Sequence, residues 1–279
     1  MKQYIKRIFI ISILCLLYNN STSAQHFYGT TGLLRAPSAE MQKDGTFMFG
    51  GSAIDVGTLS RYWSSHTKEY TPFTYNYYIN ITMFPWLEIS YTCTLVKGNY
   101  GSNYWPKPTW GKFVNQDRSF HGKLRLWKEG WWKEWTPQIV LGANDPGSHE
   151  GNGGGDIDLG GGGSGNHNYL TRYYLAITKH VDFRNIGQLG IHAAYVIGKA
   201  MTDEHYKRPS LGTNFQFMTT GSSLWNKALN GLNLMAEYDA RTFNVGGCYS
   251  IWKDHINLIA ELNDGKYFSG GIFFKVHLK

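Results

Sequence analysis

Hydrophobic and polar residues alternate with a period of two along much of the chain. The clearest stretch is 73–84, where apolar or aromatic residues such as Tyr77 and Ile79 alternate with mostly polar ones such as Asn80. Successive side chains of a strand point to opposite faces, so this pattern predicts a strand with one apolar and one polar face. Phe84-Pro85-Trp86 then predicts a tight turn before the next strand.

About twelve such segments occur, and several reach the roughly 9 to 11 residues that cross a bilayer when a strand is tilted. The connections between them alternate in length, which is typical of outer-membrane barrels. We therefore predict an all-β fold, an antiparallel up-and-down transmembrane β-barrel of about twelve strands. Short turns are predicted near residue 85 and at 129–136, 180–186, 222–230 and 252–254, and long loops at 57–69, 97–117, 146–166 and 199–209, followed by two tight links near 241 and 263–265.

Tryptophan is concentrated in the predicted short turns, where Trp86, Trp131, Trp225 and Trp252 are examples. An indole ring favours a membrane interface, because its ring lies against lipid while its N–H reaches water. The pattern therefore favours an outer-membrane location.

The first residues predict an export signal. A basic start is followed by the apolar run Ile8 to Leu17, and Thr22-Ser23-Ala24 resembles a cleavage site. Leu14 before Cys15 is too bulky for a lipoprotein cleavage site, so a lipid anchor is not expected. The predicted divisions are a signal peptide at 1–24, an N-terminal lead-in or lumen-lining segment at 25–44, and a barrel at 45–279.

Composition excludes two other classes of protein. The chain has 42% hydrophobic and 16% aromatic residues, which is too apolar for a disordered chain, and 33 of its 279 residues are Gly. Removing the signal lowers the formal charge from +7 to +4, because only basic residues leave with it. Such a weak, dispersed excess predicts no nucleic-acid partner.

A secreted soluble β-sandwich that binds glycans is the alternative fold, since its strands also alternate. In a sandwich the polar faces would carry more charge. Here they carry mostly Thr, Asn, Ser and Gln, which suits the wall of a barrel lumen.

Three blocks of sequence resemble the YjbH-type proteins, an outer-membrane family associated with exopolysaccharide production and export. The first block is Gly29 to Ala39 with Asp44-Gly45. The second block is Asp117 to Leu126 with Glu129-Gly130, Pro137, Gly142 and Asp145, and it is followed by Tyr169 to Lys179. The third block is Leu232 to Asp239. The resemblance implies a compact form of a barrel that takes part in polysaccharide production or export. It carries over no catalytic residues.

The candidate site residues fall into two groups, both defined by position. The predicted lumen-facing ions are Glu88, Lys123, Arg125, Arg172, Glu237, Glu261 and Lys275. Mixed charges inside a barrel favour structural pairing over contact with a solute, although both remain open. Aromatic residues that could stack on sugar rings crowd the second long loop: Tyr100, Tyr104, Trp105 and Trp110.

Motifs for catalysis or for metal binding are not recognised. The Gly-rich segment 151–160 resembles a calcium-binding repeat only faintly, so a solvated loop is favoured there. We expect no enzyme activity, no cofactor and no metal. The predicted partners are outer-membrane lipid, a polysaccharide and other export proteins of a Gram-negative bacterium. The competing function is a passive outer-membrane channel for small solutes.

Two cysteines, Cys93 and Cys248, remain after the predicted signal is removed. Cys93 shares the phase of Ile89, whereas Cys248 shares the phase of Asn244. Their side chains should point to opposite faces of the wall, which is incompatible with disulfide geometry. Two free thiols are predicted.

Overall fold

The computed structural model describes residues 27–58, 73–98, 106–146, 171–199, 205–221 and 223–278. The predicted signal peptide at 1–24 therefore lies outside the described residues. Within them lie twelve strands: β1 (Thr46–Asp55), β2 (Phe73–Phe84), β3 (Leu87–Lys97), β4 (Phe113–Trp127), β5 (Gln138–Asn144), β6 (Arg172–Phe183), β7 (Gly187–Lys199), β8 (His205–Phe217), β9 (Leu232–Tyr238), β10 (Phe243–Ile251), β11 (Ile256–Asn263) and β12 (Tyr267–His277).

Each strand pairs antiparallel with its neighbours in sequence, and β1 pairs with β12 to close the barrel. Thr46 at the start of β1 lies opposite His277 at the end of β12. The predicted up-and-down barrel of about twelve strands is confirmed. A single closed barrel also means that the sandwich alternative is wrong.

The helical parts of the described chain are short. Leu224–Leu229 forms a helix, α1, in which the side chain of Ser223 accepts a hydrogen bond from the backbone N–H of Asn226. Val56–Thr58 and Lys107–Thr109 form single 3-10 turns. Among the described residues, no helix is both long and apolar enough to cross a membrane.

The wall has the two faces that the alternation predicts. In β2, Tyr75, Tyr77 and Ile79 are 48%, 44% and 49% exposed on the outside, whereas Asn76 and Asn80 are buried inside. Large hydrophobic side chains are exposed in the same way on other strands, including Leu141, Leu175, Ile191 and Leu258. The outer surface is therefore an apolar belt, which water does not solvate favourably.

The connections depart from the predicted alternation of lengths. The rim where β1 begins and β12 ends, here the terminal rim, carries the connections 85–86, 128–137, 184–186, 218–231 and 252–255, and the opposite loop rim carries the other six. On the loop rim, β8 begins at His205 and shortens the predicted loop at 199–209 to residues 200–204. The connection 218–231, predicted as a short turn, instead holds α1. The contrast in connection length between the two rims is therefore weaker than the sequence indicated. The backbone of β8 pairs with β7 as far as His205, which shortens one connection of the loop rim, and α1 lengthens one connection of the terminal rim.

The cysteines lie where their phases predict. Cys93 and Cys248 are both free and buried. Cys248 lies inside the barrel in the same buried apolar cluster as Leu34 and Phe273. Cys93 is on the outward phase, and its Sγ donates to Gln116 Oε1 at 3.4 Å. The prediction of two free thiols is confirmed.

Candidate functional site in the barrel lumen

The lumen is filled by residues 27–44, here called the plug. Its interior residues are almost inaccessible: Leu33 is 2% exposed, Leu34 is 1%, and Ala39 is fully buried. The structure describes residues 27–44 of the predicted segment 25–44, and it places them inside the barrel. Residues 25 and 26 lie outside the described part of the chain.

Two wall glycines make room for the plug leucines. A Cβ on Gly212 would collide with Cδ1 of Leu33, and a Cβ on Gly246 would lie 3.0 Å from Cδ1 of Leu34. Leu33 therefore occupies the space that a side chain at position 212 would fill, whereas at Gly246 the carbonyl oxygen of Ala260 also excludes a side chain. Burying a leucine side chain contributes about 1.5 to 3 kcal/mol, so the plug is held partly by close apolar packing.

Wall carboxylates bind the plug backbone. Glu88 Oε1 accepts a hydrogen bond from the N–H of Thr31 at 2.7 Å. Glu237 Oε1 accepts from the N–H of Arg35 at 2.7 Å and of Ala36 at 3.0 Å. A plug without regular secondary structure must satisfy its buried backbone groups in some other way, and here the wall side chains do so.

Basic wall side chains satisfy the plug carbonyls. Lys123 Nζ donates to the carbonyl of Thr31 at 2.8 Å and also to the carbonyl of Glu40. Arg172 donates through Nη2 to the carbonyl of Arg35 at 2.8 Å, and its guanidinium lies 3.8 Å from the centre of the Tyr28 ring. These cations are therefore bound to the plug.

One ion pair links plug and wall directly. Arg35 Nε lies 2.5 Å from Glu261 Oε1, and both side chains are less than a tenth exposed. Burial of an unpaired charge is costly, so each partner offsets part of the desolvation cost of the other inside the barrel.

A second charged cluster lies near the terminal rim. The Nε2 of His180 is 2.7 Å from Glu40 Oε1, and its Nδ1 is 2.6 Å from Glu129 Oε2. Two carboxylates facing both ring nitrogens favour the doubly protonated imidazolium. Burial disfavours the charged form of Glu40, but the hydrogen bond and the charge of His180 outweigh it and lower the pKa of Glu40 to about 2. The pKa of Glu129 is lowered by bonds to Lys179 and His180, which likewise outweigh burial.

All seven predicted lumen-facing ions lie on the inward phase of their strands. Six are buried: Glu88, Lys123, Arg172, Glu237, Glu261 and Lys275. Arg125 is half-buried, and its Nη1 donates to the carbonyl of Pro85 at 2.6 Å in the β2–β3 turn. Lys275 Nζ lies 3.5 Å from Asp254 Oδ2 near the terminal rim. Five of the seven thus contact the plug, whereas Arg125 contacts the β2–β3 turn and Lys275 contacts the β10–β11 connection.

Of the candidate stacking aromatics, Tyr100, Tyr104 and Trp105 lie outside the described residues. Trp110 ends the 3-10 turn Lys107–Thr109 and forms a parallel bridge with Gly98. The structure therefore describes one member of the predicted aromatic group, and it places that residue beside the start of β4.

Sequence reasoning missed the plug residues that complete the site. Arg35 and Glu40 carry the two ionic links to the wall, yet neither lies in a segment with strand periodicity. Arg35 could have been selected as a candidate from the sequence, because it lies inside the motif that carries the family resemblance. His180 had no recognisable sequence signal, since its role depends on Glu40 of the plug and on Glu129 of the β4–β5 connection.

The fold and the site define a closed twelve-stranded barrel whose lumen is occupied by its own N-terminal segment. Residues 24–150 match the model of the YjbH family, described as "Exopolysaccharide biosynthesis protein YbjH". The matched part includes the plug and β1 to β5. The resemblance inferred from the sequence motifs is thus confirmed over this region.

A curated relative from Escherichia coli (strain K12), named "Uncharacterized lipoprotein YjbH", is 30% identical over 124 residues. The similarity covers 44% of this chain and 15% of the relative. The chain therefore corresponds to a small part of that longer protein.

Proposed function

We propose that this protein is an outer-membrane barrel of a Gram-negative bacterium that takes part in producing or exporting an exopolysaccharide. The match of residues 24–150 to an exopolysaccharide biosynthesis family carries the functional part of the proposal. The match includes the plug segment, so the part of the chain most similar to the family contains the feature that occupies the lumen. The relative's name supports association with a membrane.

The outer surface supports the membrane location. Exposed apolar side chains on strand after strand would form a patch far larger than soluble proteins usually tolerate. At the terminal rim, Trp86, Trp131, Trp225 and Trp252 are 49%, 65%, 82% and 56% exposed. Such a group suits the interface between lipid and water, with the apolar belt in contact with acyl chains.

The packed lumen favours a polysaccharide-related role over the passive channel. An open channel needs a water-filled path. Here Leu33 and Leu34 of the plug are buried in an apolar cluster with wall residues, and the plug binds charged wall groups such as Glu88 and Glu261. In this proposal the barrel transports nothing in the described state, and the chain carries out no catalysis. Its partners are membrane lipid, a polysaccharide and other export proteins.

Deleting the gene in its host and measuring surface polysaccharide tests the role. We expect a loss of surface glycan that is restored by the wild-type chain. Unchanged glycan would contradict the polysaccharide role but not the membrane location. Location is tested separately by an epitope tag within 151–165, which should be labelled on intact cells. Labelling only after lysis, or recovery of the protein in the soluble periplasmic fraction, would contradict it.

A further inference from the structure

A cluster of two histidines and one aspartate lies at the terminal rim, away from the plug. Asp254 and His255 come from the β10–β11 connection, and His277 is the last residue of β12. One carboxylate oxygen and one ring nitrogen from each histidine all lie within 4.8 Å of one another. We propose that these three side chains bind a divalent transition metal, with Zn²⁺ as the ion that the donor set fits best.

The ligand types match that ion. Two imidazoles and one carboxylate are typical protein ligands of Zn²⁺, whereas Ca²⁺ and Mg²⁺ prefer an all-oxygen set. Three protein ligands also leave a fourth tetrahedral position for water. The side chain of Asp254 is 4% exposed and that of His277 is 31% exposed. One ligand is therefore buried, and another is accessible to an ion from solution.

The second nitrogen of each ring has an oxygen partner. Nδ1 of His255 lies 2.9 Å from the carbonyl of Lys275, which can only accept, so this nitrogen carries the proton. Nδ1 of His277 lies 3.2 Å from Oγ1 of Thr46 in β1, which can accept in the same way. Such outer contacts orient metal-binding histidines, and here they leave the Nε2 atoms for the metal.

The carboxylate is positioned for the same role. Asp254 Oδ1 lies 3.1 Å from Nε2 of His277, while Oδ2 lies 3.5 Å from Nζ of Lys275. A metal ion would take the first oxygen, and the lysine would keep the second oriented.

The site would join two neighbouring parts of the barrel at the terminal rim. It would tie the β10–β11 connection to the end of β12, directly beside Thr46 at the junction where β1 closes the wall. A ligand that binds only the folded state stabilises it. Zinc should therefore raise the temperature at which the folded barrel unfolds.

Zinc binding to the full chain, purified folded in detergent without a histidine tag, tests the proposal. We expect one Zn²⁺ per chain by isothermal titration, with affinity at least about tenfold weaker in His255→Ala and in His277→Ala. Lys253→Asn is the control, because it changes the same turn at an exposed non-ligand and Asn tolerates the left-handed backbone there. Its zinc affinity should equal that of the wild type.

Two results would overturn the site: a wild-type chain that binds no zinc, or alanine variants that bind it with unchanged affinity and stoichiometry. The second result would assign the binding to another part of the chain. If an alanine variant does not fold, Asp254→Asn answers the same question, since Asn tolerates the left-handed backbone at this position and is a weaker ligand than a carboxylate. In folded variants, zinc should no longer raise the unfolding temperature.

Discussion

Arg35 and Glu261 meet inside the barrel at 2.5 Å, although they are 226 residues apart in sequence. This pair attaches the plug to β11. Removing one partner of a buried ion pair typically costs about 3 to 5 kcal/mol, because the other charge stays buried and unpaired.

Arg35→Ala should therefore loosen the plug. We expect the purified wild type to conduct little in a planar lipid bilayer and Arg35→Ala to give larger or more frequent openings. Lys43→Ala is the matched control, since Lys43 belongs to the same segment but is exposed. Equal conductance of all three chains would contradict the assignment of residues 27–44 as the element that closes the lumen.

The apolar outer belt of the proposed membrane barrel predicts that the cost of a charged substitution depends on its depth. Ile79 and Met83 lie on the same face of β2 and are 49% and 43% exposed, but Met83 is next to the β2–β3 turn. An Arg near the bilayer midplane costs about 2 to 4 kcal/mol, falling to about 0 to 1 near the interface.

Ile79→Arg should thus lower the yield of folded barrel in membranes much more than Met83→Arg. Heat-modifiable gel migration and protease resistance report the folded fraction. If the two variants lose equal amounts of folded protein, the outer face of β2 does not face lipid.

The buried cysteines predict a pattern of chemical labelling. In the folded barrel, both Cys93 and Cys248 should resist a maleimide reagent, because each is at most 1% exposed. After unfolding without reductant, both should react. A non-reducing peptide map that linked the two cysteines would show instead that the strand phases are wrong.

Acid should weaken the cluster around His180. Because the pKa of Glu40 is lowered from 4.5 to about 2, its contribution to stability is complete above pH 4.5 and is lost as the pH falls towards 2. Glu40→Gln should lack this contribution at neutral pH and lose less stability on acidification.

The unfolding midpoint of the two chains, measured across that pH range, checks the difference. Glu134→Gln serves as the control, because Glu134 is exposed in the same connection as Glu129. A wild-type profile parallel to that of Glu40→Gln would remove the proposed role of the carboxylate.

Much of the wall could be predicted from the sequence, because alternation is a local property. In β2, for example, the faces of Ile79 and Asn80 followed directly from their order in the chain. The same rule puts Tyr78 on the polar face, and the structure shows why an aromatic residue belongs there: Tyr78 is part of the buried apolar cluster that contains Leu33 and Leu34 of the plug.

The plug itself could not be predicted in this way. Its backbone is held by wall side chains such as Glu88 and Glu237 instead of by a repeating ladder, so its sequence carries no period. The cluster of Asp254, His255 and His277 also escaped detection, since the expectation of no metal site was based on motif spacing. The antiparallel pairing of β11 with β12 brings His277 beside the turn, and spacing along the chain does not reveal it.

The plug also limits the order in which the chain can fold. It precedes β1, yet its partners lie in β2, β3, β4, β5, β6, β9 and β11, so its anchoring groups exist as a set only after almost the whole chain has emerged. Contacts between residues so distant in sequence form slowly. The earliest part of the described chain therefore gains its full set of partners only when the latest strands are in place, and we expect lumen filling to be complete only late in folding.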